Sequence, residues 1–288
     1  MSKSLRSILI GYGYWGKILE SYLVKSPFYQ LCGIYGRNFT NAQIPHNIDI
    51  AFVATPLDSH YEISKQCLES NLCVFIEKPT CKNSQELNDL YDEANKRKLK
   101  IYTDYIYLVS PSIQKIHSLL GSLGKLNNIE SYITQYGRFY DNENALEVLG
   151  VHLLSIFVSL FEHLVLESCK YNSLYDISLH LKTSECPILI HCNLESKQKR
   201  REIHIYGEQG ELHFDMLAHR PLCYIKQGKQ KYFNFDEHNN IIHTLALCRT
   251  MLDEQNSCIC NAPYMMSYAK HCNICLRILK LMEQCQIK

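Results

Sequence analysis

A short apolar stretch, Ser7 to Ile10, runs straight into Gly11-Tyr12-Gly13-Tyr14-Trp15-Gly16. Lys17 to Val24 then carry apolar side chains at helical spacing. Strand, G-x-G-x-x-G and helix in that order constrain the fold more tightly than any other feature, because each glycine specifies a backbone path. The first permits a tight turn, the second lets the main chain approach a pyrophosphate, and the third lets helix and strand pack closely. The unpaired amides and positive dipole end of that helix favour phosphate charge. Gly11, Gly13 and Gly16, with Tyr14 and Trp15 between them, are therefore candidate binding residues.

The alternation continues. Gln30 to Tyr35 reads as a second strand, followed by Gly36-Arg37-Asn38. About twenty residues beyond the glycines a carboxylate usually meets the adenosine ribose. Here a guanidinium is available to pair with a 2′-phosphate instead, so Arg37 and Asn38 are candidates and the position leans towards NADP(H), with NAD the alternative. Asp49 to Ala54 is a third, nearly all-apolar strand, ending in Thr55-Pro56-Leu57-Asp58-Ser59-His60. An amphipathic helix through Leu68, a strand Leu72 to Ile76, the tripeptide Glu77-Lys78-Pro79, a helix Ser84 to Arg97 and a strand Lys100 to Thr103 follow. This is a doubly wound parallel pattern, whose ligand lies at the C-terminal ends of the strands. Thr55, Pro56, His60, Glu77 and Lys78 join the candidates on that ground.

From about Leu119 the apolar period becomes two, in segments such as Asn128–Gln135, Tyr175–Leu181, Ile188–Leu194, Arg201–Tyr206, Glu211–Asp215 and Tyr232–Phe235. Such strands are antiparallel with one covered face, and an apolar helix near Leu146–Leu160 supplies the cover. The expected fold class is α/β: an N-terminal Rossmann sheet at 1–118 and a C-terminal α+β domain with a mainly antiparallel open-faced sheet at 119–288. The open face predicts a homodimer or homotetramer. Lys197–Arg201 reads as a solvated turn.

Thirty Lys and Arg against 29 Asp and Glu leave a net charge of +1, which argues against a nucleic-acid binder. No apolar run is long enough to span a membrane, and the first residues read as no leader, so a cytoplasmic protein is expected. The fourteen cysteines are scattered and read as reduced, mostly buried thiols. Cys258-x-Cys260 and Cys272-x-x-Cys275 have spacings zinc can use. Cys272, Cys275, Leu276 and Leu279 also recur at helical spacing, which favours core packing and no metal.

Gly11-x-Gly13-x-x-Gly16, Thr55-Pro56-x-x-x-His60 and Glu77-Lys78-Pro79, in this order, resemble the Gfo/Idh/MocA family of NAD(P)-dependent oxidoreductases. The resemblance implies hydride exchange between a nicotinamide and a secondary alcohol or ketone of a sugar, sugar acid or nucleotide sugar. It also implies a cis Lys78–Pro79 bond and an Asp and a His four residues apart on the helix that begins near Asn144. His152 matches that His, but Val148 stands where the Asp is usual. Glu147 points about 100° away on a regular helix and replaces the carboxylate only with a local distortion. Tyr105 to Leu108 likewise stand where an Arg often precedes Pro111. Lys78 is the expected proton acceptor, since a cationic nicotinamide beside it disfavours the ammonium form. His152 would shuttle the proton or hold the hydroxyl. Tyr105, Tyr107, Arg138 and Tyr140 are expected to line the sugar site. Two other readings stay open: a catalytically impaired NAD(P)-binding regulatory protein, and a non-redox enzyme that retains its cofactor.

Overall fold

A computed structural model describes residues 3–140, 142–235, 240–253 and 266–285. The chain divides into two units, Met1–Ile106 with Asn239–Leu279, and Tyr107–His238 with Lys280–Lys288.

The first unit is built on five parallel strands, β1 (Leu5–Ile10), β2 (Tyr29–Tyr35), β3 (Ile50–Val53), β4 (Cys73–Glu77) and β5 (Ile101–Asp104), in the order β2-β1-β3-β4-β5. Helices α1 (Tyr14–Leu23), α2 (His60–Glu69) and α3 (Ser84–Arg97) connect them. Every residue of β3 and β5 is buried, as apolar parallel strands with both faces covered must be. On one face Ile8, Ile10, Ala51, Val53, Val74 and Ile76 pack with Cys67, Leu68, Leu90 and Ala94 of α2 and α3.

The other face carries a line of aromatic rings across the sheet. Tyr29 meets Phe52 edge-on at 5.0 Å, Phe52 meets Phe75 at 4.9 Å, and Phe75 stacks on Tyr102 at 5.4 Å. Two C-terminal helices, α6 (Asn240–Leu252) and α7 (Tyr268–Cys285), contribute to this unit. The Tyr29 hydroxyl donates to the Leu245 carbonyl (2.9 Å), and Tyr102 shares a 2.7 Å hydrogen bond with Thr244. His271 of α7 stacks on Tyr102 at 4.5 Å and donates to the Thr103 carbonyl at 3.0 Å. Here the structure differs from the expected division at residue 118. The chain returns to the first unit because the aromatic face of the sheet needs a cover that the local connections do not supply.

In the second unit α4 (Pro111–Leu119) precedes an eight-stranded sheet: β6 (Leu126–Tyr136), β7 (Val165–Ser173), β8 (Asp176–Lys182), β9 (Pro187–Asn193), β10 (Glu195–Gly207), β11 (Gly210–Asp215), β12 (Leu222–Lys226) and β13 (Lys229–Phe233). Its order is β13-β12-β11-β10-β6-β9-β8-β7, antiparallel except for the β6–β9 pair. Helix α5 (Val151–Leu160) is apolar nearly all round and buried. Ile129, Ile133, Ile177, Leu179, Ile188, Ile190, Ile203 and Leu212 are buried on one face of the strands. The alternate positions carry half-buried polar groups, among them Glu202, His204 and His213. Strand β10 is longer than the sequence indicated and absorbs the Lys197–Arg201 run.

Cys275 and Leu279 of α7 are fully buried and Cys272 is half-buried, so this helical pair packs as core; no metal-binding cluster occurs among the described residues. Cys258 and Cys260 lie outside the described residues. No described helix is long and apolar enough to cross a membrane.

Burial lowers the proton affinity of His271, to a pKa of about 4 against an ordinary 6.5. In the window between those values the unfolded chain binds a proton that the folded chain does not, so stability falls as the pH drops from about 6.5 towards 4. A full shift is worth on the order of 3 kcal/mol. Thermal denaturation of His271→Gln across that window should show this acid loss removed; a variant that keeps it refutes the assignment.

Candidate functional site

The strand order reverses between β1 and β3, the point where a doubly wound sheet opens for a ligand. Gly11 sits there with φ +98°, and a Cβ on it would lie 2.4 Å from the Ala54 carbonyl oxygen. A Cβ on Gly16 would lie 2.0 Å from the Gly11 oxygen. Both positions therefore require glycine. Gly13 is different: its φ is −80° and a Cβ there would meet nothing within 4 Å. Gly13 caps α1 with no side-chain hydrogen bond to the first-turn amides. Open space in front of uncapped helix amides is the cradle a phosphate needs.

The neighbouring strand ends complete this side. Arg37 and Asn38 are exposed after β2, and the Gly11 amide donates to the Tyr35 carbonyl at 2.8 Å. Pro56 is exposed, and the Thr55 hydroxyl is buried with no hydrogen-bond partner. His60 is 2% exposed, with Nδ1 2.8 Å from the Pro79 carbonyl and Nε2 2.8 Å from the Thr55 carbonyl. Burial holds its proton affinity below the ordinary histidine range, against the pull of the two carbonyls. The ring thus bridges the turns after β3 and β4 and is not itself presented to a ligand. The Lys78–Pro79 bond is cis.

Glu77 ends β4 and accepts a hydrogen bond from the indole N–H of Trp15 in α1. In the parallel register it stands opposite Asp104, the last residue of β5. Sequence reasoning missed Asp104; pairing the ends of the fourth and fifth strands would have found it. Burial, then the Asp104 carboxyl, push Glu77 well above the usual carboxylate range, against the pull of Trp15 and Lys78. Burial pushes Asp104 up to about 7, opposed by Thr244, Glu77 and Lys78.

In the second unit His152 opens α5, half-buried, with the Tyr107 ring edge-on at 5.2 Å. The helix does not begin as a regular α-helix. Leu146–Gly150 form a π turn, the local distortion that a compensating Glu147 would require. One oxygen of that carboxylate nevertheless accepts the Asn144 amide at 2.8 Å, while the Asn144 side chain accepts the amides of Leu146 and Glu147. Asn144 and Glu147 thus form a reciprocal cap. Arg138, at φ +60°, and Tyr140 are exposed beyond the end of β6. Tyr105 needs correction: its side chain is fully buried, so it belongs to the core and offers no lining surface. Arg201, read as part of a solvated turn, instead donates to the Thr134 carbonyl at 3.0 Å.

Residues 41–105 match the family model described as "Oxidoreductase family, NAD-binding Rossmann fold", that of Gfo/Idh/MocA. An uncharacterized oxidoreductase of Synechocystis is 27% identical over 150 residues, which is 45% of this chain and 40% of that protein. The match thus spans less than half of the relative. Among solved structures, a 3-ketoreductase from Actinomadura kijaniata with TDP-benzene and NADP is 14% identical, covering 98% of this chain and 96% of that one, with TM-score 0.83. Synechocystis biliverdin reductase with biliverdin and NADP+ is 16% identical, covering 98% of each chain, with TM-score 0.76. At such identities the structures speak for a shared fold. The family model that matches residues 41–105 is that of the family the three motifs resemble.

Gly13→Ala should leave the melting temperature within about 2 °C, since the added methyl meets no protein atom. It should weaken dinucleotide binding at least ~10-fold by occupying the phosphate approach. Gly11→Ala should instead destabilise by about 1–3 kcal/mol through strain. Calorimetry with and without dinucleotide separates the two, and equal stability losses would refute the distinction.

Proposed function

We propose that the chain is an NAD(P)-dependent oxidoreductase that acts on a secondary alcohol or ketone of a sugar, sugar acid or nucleotide sugar. One observation carries the reading: the phosphate-facing start of α1 is tied through Trp15 to Glu77, the residue before Lys78, so both belong to one crevice at the strand ends. The 3-ketoreductase with TDP-benzene and NADP supports the substrate class.

The α1 amides and Thr55 would hold the dinucleotide, with Arg37 and Asn38 at the adenosine end favouring a 2′-phosphate. When bound, the nicotinamide supplies or accepts the hydride. Oxidising a secondary alcohol also removes a proton from its oxygen, and Lys78 is assigned that proton. In the reverse direction its ammonium donates to the carbonyl oxygen. His152 is assigned the substrate hydroxyl, with Tyr107, Arg138 and Tyr140 as sugar-binding groups. Association of copies through the open face of the second sheet is part of the same proposal.

Val148 favours a second reading, a dinucleotide-binding protein without turnover. Trp15 is the only tryptophan, so titrating its emission with NADPH and NADH tests cofactor binding directly. NADPH should quench it at lower concentration than NADH, and no response to either refutes the reading. A screen of sugars and nucleotide sugars by reduced-cofactor absorbance then tests catalysis. Lys78→Met should lower kcat about 10²–10⁴-fold while the Trp15 response to dinucleotide persists. Turnover unchanged by that substitution would remove Lys78 from the chemistry; binding without turnover on any substrate would favour the second reading.

A further inference from the structure

Two carboxyl residues are rarely buried at paired positions of neighbouring strands. Glu77 is 9% exposed and Asp104 1%, they are partners in the β4–β5 register, both Asp104 carboxyl oxygens are buried without a hydrogen-bond partner, and the indole of Trp15 donates to Glu77. Neighbouring like charges in a poorly solvated site disfavour double ionisation, and such a pair of carboxyls keeps one proton to higher pH than an isolated carboxyl does. Full neutralisation is opposed by Lys78 and by the indole N–H, each of which favours one negative charge.

We propose that Glu77 and Asp104 act as a single acid pair carrying one shared proton at neutral pH, with Asp104 as a positioning residue. By keeping Glu77 in place it fixes the indole of Trp15 at the phosphate-binding turn. The proton belongs to the pair and not to either residue. Release of that proton leaves two neighbouring carboxylates, which repel one another, and Glu77 moves away from the indole or Trp15 follows it. The grip on the phosphate side is then a function of pH. The consequence for dinucleotide affinity rests on the oxidoreductase reading; the pair itself does not.

The groups that face the pair do not supply a competing neutral titration. On β5 itself Tyr102 is pushed well above its ordinary range by burial, and Cys248 of α6 is pushed up likewise. His271 of α7, stacked on Tyr102, is pushed down to about 4, and His60 lies below its ordinary range. Thr244 of α6 does not titrate, and Lys78 from the turn after β4 draws the pair towards ionisation.

The test uses the full chain without dinucleotide. Trp15 emission is followed from about pH 5 to about pH 9, a range in which an ordinary carboxyl, near 4, does not titrate. Wild type should show one transition near neutrality. Asp104→Asn should move it at least one pH unit to the acid side, a tenfold loss of proton affinity, because the asparagine amide donates to the Glu77 carboxylate. In Glu77→Gln the transition should disappear. Flat wild-type emission, or a midpoint that Asp104→Asn leaves in place, overturns the proposal. If the variants do not fold, infrared difference spectra of wild type across neutrality decide alone. They should show a buried carboxylic acid C=O stretch lost as pH rises, and its absence is equally fatal. Stability supplies a further sign. The folded pair holds a proton that the unfolded chain has released between about pH 4 and 7, so its contribution declines as pH rises through that window, opposite to the His271 effect. A Trp15 profile that behaves as described in a chain that binds no dinucleotide would sink the oxidoreductase reading and leave the pair standing.

Discussion

The backbone leaving β1 lies against the backbone leaving β3. There is no room for a side chain at Gly11, whose Cβ would sit 2.4 Å from the Ala54 oxygen, or at Gly16, whose Cβ would sit 2.0 Å from the Gly11 oxygen. These two contacts force strand, turn and helix into one path. Everything on the phosphate side follows from it: α1 starts with open space at Gly13, its first amides are uncapped, and the next side chain but one, Trp15, reaches the carboxyl at the end of β4. A single hydrogen bond therefore couples the turn that would grip a phosphate to the strand end that carries Lys78.

Several of the buried polar groups where the strands of the first unit end hold a turn. Thr80 and Thr103 share a 2.8 Å hydrogen bond between the turn after β4 and strand β5. His60 bridges the turns after β3 and β4. Burying such groups costs free energy unless they are satisfied, and the cost is greatest for charges. A pair of carboxyls there is a poor way to stabilise a sheet, since an apolar pair would pack as well without desolvation. The aromatic line from Tyr29 to Tyr102 shows what this sheet uses when only packing is required.

Most of the first unit was legible because its information is local. Ser84–Arg97 is a helix within the expected bounds, and strands β1 to β5 fall within one or two residues of the apolar runs that announced them. What escaped was non-local. Strand β7 has no continuous apolar face, its residues being mostly exposed or half-buried at the edge of the sheet, so period-two reading passes over it. Helices α6 and α7 join the first unit through Thr244, Leu245 and His271, contacts between residues more than 140 positions apart. In the site, Gly11, Gly16, Glu77 and Lys78 were marked by motif, whereas Asp104 acquires meaning only from strand register. Tyr105 failed for the converse reason: composition permits a tyrosine on a lining surface, but burial is decided by packing.

On the helix that carries His152, the carboxylate of Glu147 forms part of a cap. A carboxylate beside an imidazole fixes the ring and also supplies negative charge that stabilises its protonated form. With Val148 at that position, the carboxylate one residue earlier caps the helix at Asn144, and the π turn between them sets the pitch at which His152 emerges. The ring meets the edge of Tyr107, a contact worth about 0.5–1.5 kcal/mol for aromatic pairs. Such a contact orients without adding charge. Packing against Tyr107 thus contributes to the orientation of this histidine, as the reciprocal Asn144–Glu147 cap does to the start of its helix.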